Sequence, residues 1–190
     1  NSVPLAQKRI TAEACIHHLT FNDSMYETKG SLLKWNPAVK TEADRKGIFQ
    51  ALLDDRIDII ATDHAPHLLT EKEGPYEKAH AGLPLVQHSV ALMLYYHSIG
   101  KISLETMVRK MSHAVADCFH IKERGFIREG YFADLVLVNM NKKNTVAKEN
   151  ILYKCGWSPL EGFTFPASIS NTFVNGNLVY DNGSFNENIK

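Results

Sequence analysis

Hydrophobic positions along this chain come in short runs whose period changes several times. Lys8 to Cys15 (KRITAEAC) alternates loosely between polar and apolar residues, a strand pattern, and leads to the pair His17-His18. Phe21 to Lys34 is polar and loop-like. It runs into Trp35-Asn36-Pro37-Ala38, where Pro37 disfavours helical geometry at Asn36. At Thr41 the period becomes helical. Thr41 is a good N-cap, and Glu42 and Asp44 fall in a first turn where the helix dipole favours acids. Ile48, Phe49, Leu52 and Leu53 then recur at helical spacing, which predicts a helix of about 14 residues. Ile57 to Thr62 (IDIIAT) reads as a short buried strand, and Asp63 to Gly82 as a long loop holding Gly74-Pro75, of a length that is usually functional or mobile. Pro84 to His97 and Ser103 to Met111 read as helices, the second capped by Ser103, with a further short helix over Ala114 to Phe119.

After Gly125 the pattern turns to β. Ala133 to Val138 (ADLVLV) is a strand, Phe173 to Tyr180 (FVNGNLVY) a hairpin turning at Asn175-Gly176, and Asp181-Asn182-Gly183 a further turn. The chain therefore reads as an α/β unit over residues 1–124 with β-structure appended over 125–190.

Composition narrows the function classes. Hydrophobic residues make up 44% of the 190 and charged residues 22%, with a formal net charge of zero. That balance argues against nucleic-acid or membrane-surface partners, which favour a basic excess. The longest apolar run, Val90 to Tyr96, is far short of the ~18 residues of a spanning helix. Cys15, Cys118 and Cys155 are odd in number and widely spaced, which fits reduced thiols in a cytoplasmic protein. Asn1 to Ile10 has no signal-peptide pattern, and the sequence reads as beginning mid-protein.

The densest chemistry is in IDIIATDHAPH, Ile57 to His67. Asp63 closes a buried strand, and in a (β/α)₈ barrel such a strand end is the rim where catalytic groups sit. A carboxylate there can ligate a divalent metal such as zinc and shuttle protons for an activated water. His67, four residues on, would reach the same mouth and could bind an anionic substrate. Asp-x-x-Pro after a strand is also an ordinary turn starter, because an Asp side chain caps nearby N–H groups. On the residues alone both readings stand.

ATDHAPH, Ala61 to His67, resembles the strand-8 signature of dihydroorotases, members of the amidohydrolase superfamily. The similarity continues through TAEACIHHLTF (Thr11 to Phe21), through WNPAVK and the acidic helix that follows it, through GFIREGYFADLVLVN (Gly125 to Asn139) and through SPLEGFTFPASISNTFVNGNLVYDNG (Ser158 to Gly183). The resemblance implies the last strands and helices of a metal-dependent TIM-type barrel over 1–124 and the C-terminal share of a small β-sandwich over 125–190. It implies reversible, zinc-dependent cyclisation of N-carbamoyl-L-aspartate to L-dihydroorotate in pyrimidine biosynthesis, with two zinc ions per complete site. Asp63 matches the aspartate that ligates one zinc and carries the proton. His67 matches a histidine that contacts the substrate carboxylate, Asn36 a substrate contact before a proline pair, and Ala81-Gly82 a backbone pair that holds the pyrimidine ring. This chain has Asn36-Pro37-Ala38 where the family has a double proline.

The other metal ligands of the family lie upstream of this chain, so the piece is expected to be inactive alone. A homodimer is the family's common assembly. Hydantoinases and allantoinases share the strand-8 aspartate and are the alternative enzymes; a non-catalytic dihydroorotase-like partner subunit is the alternative from another class. Among the other histidines, His17, His18, His88, His97, His113 and His120 are expected to be structural, and only His80 lies close enough to Gly82 to be worth watching. Asp44, Arg45, Asp54, Asp55 and Arg56 read as a solvated helix face and turn.

Overall fold

The computed structural model describes residues 3–188, so residues 1, 2, 189 and 190 of the two expected units lie outside it. Strand β1 (Glu13–Cys15) pairs in parallel with β2 (Ile59–Ala61), in the register Glu13 to Ile59, Ala14 to Ile60 and Cys15 to Ala61. Both are shorter than the alternating stretches that predict them. Just before β2 backbone and side chain share the pairing: the Asp58 N–H donates to the Ala12 carbonyl at 2.9 Å, and its buried carboxylate takes Lys8 Nζ at 2.6 Å and the Ala12 N–H at 3.0 Å.

Between the strands the chain makes α1 (Ile16–Thr20), α2 (Tyr26–Lys29) and α3 (Glu42–Leu53). The stretch expected to be a loop, 21–34, is therefore largely short helical turns, set by local caps such as the Asn22 side chain accepting from the Ser24 N–H. Helix α3 begins where the sequence predicts. Thr41 Oγ1 accepts from the Asp44 N–H at 3.3 Å, and the Asp44 carboxylate accepts from the Thr41 N–H at 3.1 Å. Phe49 and Leu52 face the core. Arg45 is not simply solvated: it pairs with Glu42 at 2.6 Å and donates to the Leu19 carbonyl at 3.0 Å, tying α3 to α1.

The long loop after β2 contains one short helix, α4 (Leu69–Lys72). Helix α5 (Ser89–Ser98) starts later than expected, after a 3₁₀ turn over Val86–His88. The two helices expected next are one: α6 (Leu104–Val108), a π turn at Arg109–His113 and α7 (Ala114–Cys118) run on without a break. Ser103 caps this helix, accepting from the Thr106 N–H at 3.1 Å. The π turn buries Lys110, whose ammonium reaches the Ile57 carbonyl at 2.5 Å and the Asp55 carboxylate at 2.7 Å. Asp55 is thus a pinned ion rather than a solvated turn residue. Its burial pushes the carboxyl up, and the Lys110 and Arg109 bonds outweigh that and lower it. His120 falls past the end of α7, in a left-handed turn (φ 54°).

In the C-terminal part, β3 (Leu135–Asn139), β6 (Ser168–Val174), β7 (Asn177–Asp181) and β8 (Ser184–Phe185) form an antiparallel sheet in that order, and β4 (Asn144–Thr145) pairs with β5 (Thr164–Phe165). Asn175 and Gly176, both at positive φ, turn β6 into β7, which is the geometry a two-residue hairpin needs. The core does not stop at residue 124. Leu83, Leu92 and Met93 pack in one cluster with Val146, Trp157, Leu160 and Phe165. No helix among the described residues is long and apolar enough to cross a membrane.

Candidate functional site

In open α/β arrangements polar chemistry collects past the carboxyl ends of the strands. The two ends of the β1–β2 pair differ accordingly. The amino end carries the Lys8, Asp55, Asp58 and Lys110 ion pairs, which join elements to one another. At the carboxyl end of β2 stands Asp63, exposed, in left-handed backbone (φ 45°). A short polar side chain tolerates that geometry where a β-branched one would not. The Trp35 indole N–H donates to Asp63 Oδ2 at 2.7 Å. Oδ1 takes no hydrogen bond among the described residues.

Trp35 is buried and stacks on His17, ring centroids 3.6 Å apart. Burial, and then the neighbouring His18, hold His17 to about 2, so it is a neutral ring; both of its nitrogens lack a partner among the described residues. His18 Nε2 lies 2.9 Å from the Pro37 carbonyl, which an N–H must donate to. Burial and the carboxylates of Glu13 and Asp63 push the Cys15 thiol up to about 12, so it stays protonated.

The other expected residues are drawn together by backbone. His67 Nε2 donates to the Ala81 carbonyl at 3.2 Å. Gly82 lies against both: a Cβ there would meet the Ala65 carbonyl at 2.5 Å and the His67 ring at 3.0 Å, at φ 143°. The Gly82 N–H donates to the Lys34 carbonyl at 3.0 Å, two residues before Asn36. Asn36 itself is exposed and precedes a cis peptide to Pro37. One connected unit thus holds all five: Asp63 through Trp35 to Asn36, Lys34 to Gly82, and Ala81 to His67.

Sequence reasoning missed three residues that build this unit. Trp35 looks like an ordinary core residue until it is seen to reach across 28 positions to Asp63. Lys72 is fully buried, and its ammonium donates to the carbonyls of His80 (2.7 Å), Gly82 (2.9 Å) and Lys34 (3.1 Å). Burial, and then Lys34, lower it to about 8. Trp157 donates its indole N–H to the His67 carbonyl at 2.8 Å across 90 residues. Nothing local marks Lys72, which reads as one more charge between Glu71 and Glu73 in a polar loop.

The open oxygen of Asp63 fits one ligand position of a divalent centre, and a carboxylate at a strand end is the right donor for it. The described residues do not bring a full set of donors to Asp63. A cavity of about 880 Å³ lies elsewhere, lined by Arg45, Phe49, Tyr95 and Phe163 among others, and touches none of the five residues.

Residues 6–179 match the amidohydrolase family. The dihydroorotase of Pyrococcus abyssi is 37% identical over 172 residues, 90% of this chain and 41% of that protein. The dihydroorotase of Halobacterium salinarum is 34% identical over 173 residues, 90% of this chain and 40% of that protein. Among solved structures, the L-hydantoinase (dihydropyrimidinase) from Arthrobacter aurescens superposes with a TM-score of 0.85 at 25% identity, covering 92% of this chain and 40% of that one. A D-hydantoinase superposes at 0.86 with 21% identity, covering 93% and 40%, a likeness of fold. The chain spans about two fifths of the length of the relatives it matches.

Proposed function

This chain belongs to the amidohydrolase family, and we propose that the complete protein is a zinc-dependent dihydroorotase that interconverts N-carbamoyl-L-aspartate and L-dihydroorotate. In this reading β1 and β2 are neighbouring strands of a (β/α)₈ barrel, and Asp63 stands on its catalytic rim. The observation that carries the reading is Asp63, with one carboxylate oxygen fixed by Trp35 and the other open. The dihydroorotase names of its relatives at 32–37% identity favour this substrate over a hydantoin.

When bound, the metal supplies Lewis-acid activation of water and of the ring amide. Asp63 would help to hold it and, in the hydrolytic direction, its carboxylate would take the proton of the attacking water. It then hands that proton to the ring nitrogen as the amide C–N bond breaks. In cyclisation the same proton travels back. Fixing Oδ2 with Trp35 leaves the carboxylate one rotamer in which to make both transfers. His67 offers an imidazole to the substrate's carboxylate, a charge-assisted contact. Asn36 and the Ala81-Gly82 backbone hold the ring, with Gly82 allowing the close approach that a Cβ would block.

A hydantoinase is the second reading, favoured by the structural neighbours. Turnover of dihydroorotate, hydantoin and allantoin by the full-length protein separates the two. Dihydroorotate is expected to be the preferred substrate, and Asp63→Asn is expected to lower its turnover about a thousandfold. Near wild-type turnover in that variant would remove Asp63 from the mechanism, whereas no turnover of any of the three compounds by the wild type would leave a non-catalytic partner subunit as the better account.

A further inference from the structure

We propose that His67, Glu71 and His80 form a binding site for a zinc-type divalent ion, with all three donors supplied by this chain. Their ligand atoms lie within 4.8 Å of one another. Two imidazoles and one carboxylate are a donor set for zinc, cobalt or nickel rather than for calcium or magnesium.

The tautomer of His67 points the same way. The Ala81 carbonyl can only accept, so Nε2 carries the hydrogen and Nδ1 presents a lone pair. That lone pair faces the Glu71 carboxylate, Nδ1 to Oε2 3.5 Å. Two acceptors set against each other need a cation between them, a proton or a metal ion. A proton needs only those two groups. The His80 ring, its centroid 4.9 Å from that of His67, brings a third donor to the same gap, which a proton would not use and a metal ion would. A metal-ligating histidine characteristically donates its other ring N–H to a carbonyl, as His67 does here.

The donors are held before any ion arrives. The His80 N–H donates to the Glu71 carbonyl at 3.0 Å, and the Glu71 carboxylate accepts the Leu68 N–H at 2.7 Å. Lys72 fixes the His80 carbonyl, and Gly82 packs on the His67 ring. Neighbouring ligand atoms of a tetrahedral zinc lie roughly 3.3 Å apart, so the widest separation must close by about 1.5 Å, within reach of side-chain rotation. Glu71 and His80 are open to solvent, which gives an ion a route in and leaves a fourth position for water. The site goes beyond the reading as a dihydroorotase. Only its consequence rests on that reading: an ion on Nδ1 would fix the ring of the histidine that is to meet the substrate carboxylate.

The test counts zinc in the purified full-length protein after equilibrium dialysis, in wild type, Glu71→Gln and His80→Asn. Gln at 71 can still accept the Leu68 N–H, and position 80 is exposed, so both variants are expected to fold, which circular dichroism checks. Wild type is expected to hold one more zinc per chain than either variant, and the cobalt-loaded wild type to show absorption bands that both variants lack. Equal counts in all three proteins overturn the proposal and leave a proton-bridged pair, and a loss in Glu71→Gln with none in His80→Asn overturns it by removing His80 from the donors. Because the count needs no turnover, it is decided separately from the substrate assays.

Discussion

Trp35 has one polar hydrogen, and it goes to Asp63 rather than to solvent. The bond is charge-assisted, and such bonds contribute about 1.5–3 kcal/mol. It also fixes the rotamer of a residue already held in left-handed backbone, where a side chain would otherwise have little to restrain it. Trp35→Phe keeps the apolar bulk and the stack on His17 while removing the hydrogen. In the full-length enzyme it is expected to lower kcat about tenfold, which is ~1.4 kcal/mol of transition-state positioning, with KM changed less than about twofold. Steady-state kinetics on dihydroorotate, with a thermal melt to check the fold, measure this. An unchanged kcat would make the Trp35–Asp63 bond purely structural. Nothing at position 35 announces the contact: a tryptophan beside Asn36 carries the same local signal whether it fills a core or steers a carboxylate.

At the scale of elements, what was legible was local chemistry. Thr41 and Asp44 make the reciprocal cap that their spacing predicts, and Ser103 caps its helix in the same way. Asn175-Gly176 makes the expected hairpin because both residues accept positive φ. Thr41→Ala is accordingly expected to cost about 0.5–2 kcal/mol, read as a lower urea midpoint, and to leave the zinc count untouched. What was not legible depended on partners far away in sequence. At the amino end of the β1–β2 pair the Asp58 carboxylate takes the Ala12 N–H and the Lys8 ammonium, 46 and 50 residues away, contacts that no local pattern contains. The break expected between Met111 and Ala114 is instead a π turn, which brings Lys110 under the Ile57 carbonyl, and no periodicity in 103–118 contains that carbonyl. The same holds for the candidate site. Asp63 and His67 stand out in one motif, whereas Lys72 and Trp157 join it only through carbonyls 10 and 90 residues away.

At the scale of the molecule, two neutral histidines are built into the core. Burial holds His17 to about 2 and His88 to about 4, against an ordinary value of 6.5. Below pH 6.5 the unfolded chain therefore takes up protons that the folded chain refuses, and stability falls as pH falls; above 6.5 the effect is gone. Between pH 6.5 and 5 each histidine is expected to weaken the fold by up to about 1.4 kcal/mol per pH unit, a window above the range of ordinary carboxylates. Urea midpoints at pH 7 and pH 5 test this, and His17→Phe is expected to flatten the difference; an equal acid loss in that variant would show that His17 is not its source. A second molecule-wide consequence follows from the buried ammonium that gathers three carbonyls around the loop. Lys72 is sealed while Lys78, six residues along the same loop, is exposed. The two amines thus differ first in whether a reagent can reach them. Brief acylation would tag Lys78 and spare Lys72 for as long as the loop stays shut, so the ratio of the two tags in a mass spectrum becomes a clock for its opening.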